Sequence, residues 1–156
     1  MSDLHLAACD GSVERTIAEL SRGVMDIDQA GPKGCTLLMM AAFNGHSRIV
    51  RVFLNKEANV LKMDEDGFTA LQWAAVKGHL AVTKLLVEAG ADLEAKSFIT
   101  GGTTPLPMAA GGGHSEVVVH ELLQEHGIEG CGGATNDVQA RALAAQNQHV
   151  GIMGML

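Results

Sequence analysis

Between residues 67 and 99, apolar side chains fall in two short runs of helical spacing. Leu71, Ala74 and Ala75 form the first, and Val82, Leu85 and Leu86 the second. Thr69 precedes the first run, where a hydroxyl can accept one of the orphan N–H groups of a helix start. Gly78 separates the runs, and Gly90 follows the second, at places where the chain turns through positive φ. The pattern predicts a short helix after Thr69, a second over Leu80–Glu88, and an extended, turn-like connection over 91–101 that projects as a hairpin. Neither helix buries its apolar face alone, so the segment needs packed neighbours.

The same pattern recurs along the chain. Ala41-Ala42 leads to Gly45-His46, Ala74-Ala75 to Gly78-His79, and Ala109-Ala110 to Gly113-His114, at spacings of 33 and 35 residues. Weaker copies stand at Ala7-Ala8 with Gly11-Ser12, and at Ala144-Ala145 with Gln148-His149. Gly34-x-Thr36, Gly67-x-Thr69 and Gly102-x-Thr104 open the three middle copies. Paired apolar positions follow at Phe53-Leu54, Leu85-Leu86 and Leu122-Leu123. A period of this length is the signature of a stacked repeat array.

The motif resembles that of the ankyrin repeat family, Gly-x-Thr-Pro-Leu-His-x-Ala-Ala-x-x-Gly-His, over essentially the whole chain. The closest copy runs from Gly67 to His79. The resemblance implies an all-α ankyrin-repeat solenoid of stacked helix-turn-helix units with projecting β-hairpin loops. Its units divide as an N-terminal capping unit over 1–31, repeats over 32–64, 65–99 and 100–130, and a degenerate or truncated unit over 131–156. The motif's histidine is replaced by Met39, Gln72 and Pro107, and only His5 keeps it. The family's Thr–His hydrogen bond is then missing from the middle units, an expected loss of about 0.5–1.5 kcal/mol each. Pro107 falls where a helix is just starting, which is tolerable. The fourth unit gains two residues within 97–101, lengthening one hairpin tip. The last unit carries a glycine-rich stretch over 127–133 and Arg141 in a core position. Asn136 or Asp137 is expected to cap its helix, and this unit to exchange its amide hydrogens fastest.

Composition sharpens this picture. The chain has 156 residues, 47% hydrophobic but only 3% aromatic, and 19 glycines. Ala and Leu pairs account for a core without large rings, and many glycines are fixed turn positions in phase. The formal charge of −7 opposes a general affinity for nucleic acid or anionic lipid. Cys9, Cys35 and Cys131 lack the close spacing of a zinc site, and reduced thiols suit a cytoplasmic or nuclear protein. No secretory leader and no apolar stretch of about 18 residues is apparent.

Apparent chemistry dissolves into the repeat. His46, His79, His114 and His149 recur one unit apart, too far to share a metal, and the family resemblance implies bonds from them to backbone between repeats. His114, His120 and His126 scatter around a helix, even with Cys131 added. Gly111-Gly112-Gly113 has no preceding strand and no following P-loop Lys. Met39, Met40, Met108, Leu6 and Trp73 are expected in the core. No catalytic residue, metal site or cofactor is predicted.

Function then falls to positions that the fold leaves unspecified. The family resemblance implies a protein partner gripped by hairpin tips and the exposed side of the first helices. Carried onto this chain, the candidate residues are Lys33, Cys35, Met63, Glu65, Asp66, Phe68, Phe98, Ile99 and Thr103 on the tips. On the helices they are Phe43, Asn44, Val76, Lys77, Gly111 and Gly112. Phe43, Phe68 and Phe98 are expected anchors, because aromatic rings often dominate binding energy. Asp64, Glu65 and Asp66 form an acidic run that suits a partner with an apolar ridge beside a basic segment. A scaffold, adaptor or inhibitor fits this description, with no nucleic acid and no membrane involved. The alternative is a structural fragment of a longer array, or a protein that self-associates through its apolar residues 150–156.

Overall fold

A computed structural model describes residues 3–23, 26–113, 142, 145 and 146 of the chain. Seven α-helices stand among them: α1 (Asp3–Asp10), α2 (Val13–Ser21), α3 (Leu37–Phe43), α4 (Ser47–Leu54), α5 (Ala70–Lys77), α6 (Leu80–Glu88) and α7 (Pro105–Gly111). Consecutive helices pair within a unit, α1 with α2, α3 with α4, and α5 with α6. The first helices α1, α3, α5 and α7 stack in one layer, and α2, α4 and α6 stack in a second. This is the predicted all-α solenoid.

Three helices, α2, α3 and α5, start at a side-chain cap. Thr36 and Thr69 cap α3 and α5, their hydroxyls accepting N–H bonds of 3.3 Å from Met39 and Gln72. Ser12 caps α2 in the same way. Gly78 ends α5 at φ 72°, in the left-handed region. Small alanines let the inner layer close up. Ala7, Ala8, Ala41, Ala42, Ala74, Ala75, Ala109 and Ala110 are all fully buried. Leu4, Leu37, Leu71 and Leu106 fill the space between inner helices, while Ile49, Phe53, Val82 and Leu86 come from the outer layer. Each such side chain contributes about 1.5–3 kcal/mol by leaving water.

Histidine couples the units. His46 Nε2 lies 2.8 Å from the Cys9 carbonyl, and His79 Nε2 lies 3.0 Å from the Phe43 carbonyl. Each ring covers the turn glycine of the preceding unit. A Cβ on Gly45 would come within 2.7 Å of the His79 ring, so the glycine serves the neighbour's histidine as well as its own turn at φ 75°. The expected bonding of these histidines to backbone holds at both positions; His114 and His149 lie outside the described residues, as do His120, His126, Cys131, Asn136, Asp137, Arg141 and 150–156.

Two expectations need correction. The first concerns the missing Thr–His bond. In the third unit Gln72 takes over its role: Thr69 N–H donates to Gln72 Oε1 at 2.8 Å, and Gln72 Nε2 donates to the Ala95 and Thr103 carbonyls at 2.9 and 3.1 Å. Gln72 is fully buried with these bonds made, so the hydrogen bonding expected to be lost from this unit is replaced. Met39 is a softer substitute, its thioether accepting from Thr36 N–H at 3.4 Å. The second correction concerns Pro107. It is the third residue of α7, where the N–H that should satisfy Thr104 would be, and proline has none. Thr104 Oγ1 is buried without a partner among the described residues.

Register also differs in detail. The spacing from His46 to His79 aligns Phe53 with Leu86 and Leu54 with Val87, one residue away from the pairing expected. Phe53 and Leu86 are fully buried, whereas Leu54, Leu85 and Val87 are half-buried.

Candidate functional site

Three loop tips project on one side of the stack. The first carries a 3-10 turn at Pro32–Gly34, with Lys33 in the left-handed region at φ 57°. Bonds from Gly31 N–H to Cys35 O at 2.7 Å and from Asp64 N–H to Phe68 O at 3.0 Å close the first two tips. Ser97 N–H to Thr103 O, at 3.4 Å, closes the third. These are hairpin-like turns, and no β-strand occurs among the described residues. Neighbouring tips are also joined. Glu65 N–H donates to Lys33 O at 3.1 Å, and Phe98 N–H to Asp66 O at 3.0 Å.

Asp64 organises the middle tip. Its Oδ1 accepts from the N–H groups of Phe68 and Asp66 at 2.8 and 3.1 Å. Its Oδ2 accepts from Trp73 Nε1 at 2.9 Å and lies 3.8 Å from Cys35 Sγ. At 6% exposure it is a buried turn carboxylate, so the acidic run expected to face a basic partner loses this residue. Glu65 is exposed and Asp66 half-buried. Burial pushes the Cys35 thiol up to about 11, helped by the charge of Asp64 and the hydrogen bond to it. Cys35 is therefore a poor nucleophile near neutral pH.

Trp73 joins this tip to the inner helices. Phe68 stacks on it, with ring centroids 4.6 Å apart and planes at 23°. Phe43, one unit away on α3, meets it edge-on at 5.3 Å and 74°. The Lys77 ammonium lies 4.4 Å from the centre of the Phe43 ring. The indole is thus held by a stacked ring, by an edge contact and, at its N–H, by Asp64. Trp73 was expected in the core; the structure leaves it half-buried on the inner-helix face, beside Phe43, which is 37% exposed. It was not among the candidate binding residues read from the sequence. The signal was present: it is the chain's sole tryptophan, at the position equivalent to Leu6 and Met40, and neither of those is fully covered.

The other candidates divide by place. Phe68 is only 7% exposed, so it is not a surface anchor; its ring stacks on Trp73, while its backbone N–H and carbonyl close the loop with Asp64. Phe98 and Ile99, at 70% and 66%, stand out on the longest tip. Phe98 leans on the backbone of Gly67, where a Cβ would come within 2.8 Å of the ring. Met63 and Lys33 are exposed beside the first two tips. Thr103 is half-buried and its hydroxyl donates to Thr100 O at 2.7 Å. Asn44 Nδ2 donates to Met40 O at 2.9 Å at the end of α3, and Val76 and Gly111 are half-buried at equivalent helix positions, with Gly112 exposed after α7. Phe43 thus joins Trp73 and Lys77, Glu65 and Asp66 lie on the tip that Asp64 ties to Trp73, and Phe98 and Ile99 stand on the next tip, which the Phe98 N–H links to Asp66.

Comparison with known proteins agrees with this architecture. The family model for ankyrin repeats, in three copies, matches residues 4–97. The chain belongs to the ankyrin repeat family. It is 39% identical over 98 residues to Palmitoyltransferase AKR1 of Candida glabrata, which is 60% of this chain and 13% of that protein. The Saccharomyces cerevisiae protein of the same name is 38% identical over 98 residues, again 60% and 13%. Protein fem-1 homolog A-like of Mus musculus is 35% identical over 100 residues, covering 64% of this chain and 15% of that protein. The chain therefore spans about an eighth of the length of the palmitoyltransferases it matches. Among the described residues, no helix is long and apolar enough to cross a membrane.

Proposed function

We propose that this chain is a non-catalytic docking module that takes a segment of another protein on the face formed by its inner helices and loop tips. Ankyrin repeats are in general protein-interaction units, and the aromatic group centred on Trp73 carries the assignment here. An indole packed between Phe68 and Phe43 and hydrogen-bonded to Asp64 is already ordered before any partner arrives, so binding costs little conformational entropy. Half-exposed aromatic side chains in such settings are the usual energetic centres of interfaces. Glu65 and Asp66 beside it favour a partner with a basic segment next to an apolar one. The likeness to two palmitoyltransferases supports a related role, in which such a module presents a protein to an acyl-transfer activity carried elsewhere.

The test is partner capture followed by identification, repeated with Trp73→Ala and, separately, Glu65→Lys. Both variants should lose the partner at least tenfold, with Glu65→Lys keeping wild-type helicity because Glu65 is exposed. Capture that survives both substitutions, or that maps to the outer face of α4, would overturn the assignment.

A further inference from the structure

The Lys77 ammonium makes no ion pair among the described residues and rests instead on the face of Phe43. That face is electron-rich and attracts cations. Phe43 is held in place by its edge contact with Trp73, and Trp73 by Asp64, so the ring presents one orientation to solvent. Lys77 is exposed, in the last turn of α5, on a side chain flexible enough to swing away. A guanidinium is less strongly hydrated than an ammonium and stacks flat on an aromatic ring, so it competes well for such a position. Acidic groups on this side favour the approach of a cationic partner: Glu65 and Asp66 sit on the tip that Asp64 ties to Trp73 and the whole chain carries −7, while Lys33 on the neighbouring tip opposes them.

We propose that the exposed face of Phe43 is a cation subsite for a basic side chain, arginine above all, of a protein partner, with Lys77 as the resident cation that this side chain displaces. The subsite presupposes that the inner-helix face docks a protein; it adds which chemical group is recognised and where.

A random dodecapeptide library displayed on phage, selected on the full chain, tests it. The strongest peptides are then measured by fluorescence anisotropy against the wild type and the Phe43→Leu, Lys77→Gln and Glu65→Lys variants. The expected peptides share an arginine or lysine next to an aliphatic residue. Phe43→Leu should weaken them about two- to fivefold, the size of an exposed cation–π contact, and Lys77→Gln should tighten them by a similar factor. Peptides that lose affinity with Glu65→Lys but share no basic residue, or ignore Phe43→Leu, overturn the subsite and leave the docking face standing. Peptides indifferent to Glu65→Lys as well overturn both.

Discussion

At the scale of single residues, equivalent positions in different units do opposite things. Thr69 and Thr104 both stand before an inner helix, and both are buried. Thr69 Oγ1 accepts from Gln72 N–H, whereas Thr104 faces Pro107, which has no N–H to offer. A buried hydroxyl without a partner costs free energy, and replacing it with a methyl of the same shape removes that cost. Thr69→Val should therefore destabilise the chain by about 1 kcal/mol through the lost cap. Thr104→Val should leave stability unchanged or raise it by up to about 1 kcal/mol. Urea denaturation of the two variants checks this, and equal losses at both positions would contradict it. The same contrast explains the tolerance for losing the motif's histidine. Gln72 reaches three backbone groups, two of them in the following loop. Met39 reaches one, and Pro107 gives none of the bonds on which Thr104 depended.

At the scale of the helix pair, the outer helix decides how firmly a unit is held. Leu86 is fully buried in α6 and packs where Phe53 packs in α4, while Leu85 is half-buried. Leu86→Ala should cost about 2–5 kcal/mol, as expected for a buried leucine, and Leu85→Ala about 1 kcal/mol. Thermal melts of the two variants would decide, and a larger loss at Leu85 would show the register to be wrong. The helices themselves were legible in the sequence because a period of 33 to 35 residues repeats the same Gly, Thr and Ala-Ala positions. α6 falls where the pattern put it, from Leu80 to Glu88. The run Leu85-Leu86-Val87 blurred the register by one residue, since three successive apolar side chains do not say which one faces inward. Loop tips were less legible, because no period governs them. Phe68 and Asp64 read as surface residues, yet a turn carboxylate collecting N–H groups from its own loop and from Trp73 is visible only once the chain is folded. Trp73 was misplaced for the converse reason: its helix position reads as core, but its neighbours on that face leave the ring half-covered.

For the whole molecule, cohesion is a chain of junctions between adjacent units. α1 packs on α3, α3 on α5, and α5 on α7, with the outer helices following the same order. The first two junctions each carry a histidine link, His46 to the Cys9 carbonyl in one and His79 to the Phe43 carbonyl in the next. Loop bonds accompany them, such as Asn59 N–H to Asp28 Oδ1 at 2.9 Å and Glu65 N–H to Lys33 O. In such an array, stability is close to a sum of unit terms and nearest-neighbour terms. Removing either imidazole leaves a backbone carbonyl without its partner and uncovers the turn glycine beneath it. His46→Ala and His79→Ala should each cost about 1–3 kcal/mol. The two histidines share no partner and belong to different junctions, so the double variant should lose the sum of the single losses to within about 0.5 kcal/mol. Trp73, the sole tryptophan, sits between the rings of Phe68 and Phe43 and reports unfolding by its fluorescence. A double-mutant cycle in urea followed by that signal measures the coupling directly. A coupling above about 1 kcal/mol would mean that the junctions act together, and that a partner docked at Trp73 stiffens units it does not touch. Simple addition would confine the mechanical effect of docking to the two units that supply Phe43 and Trp73.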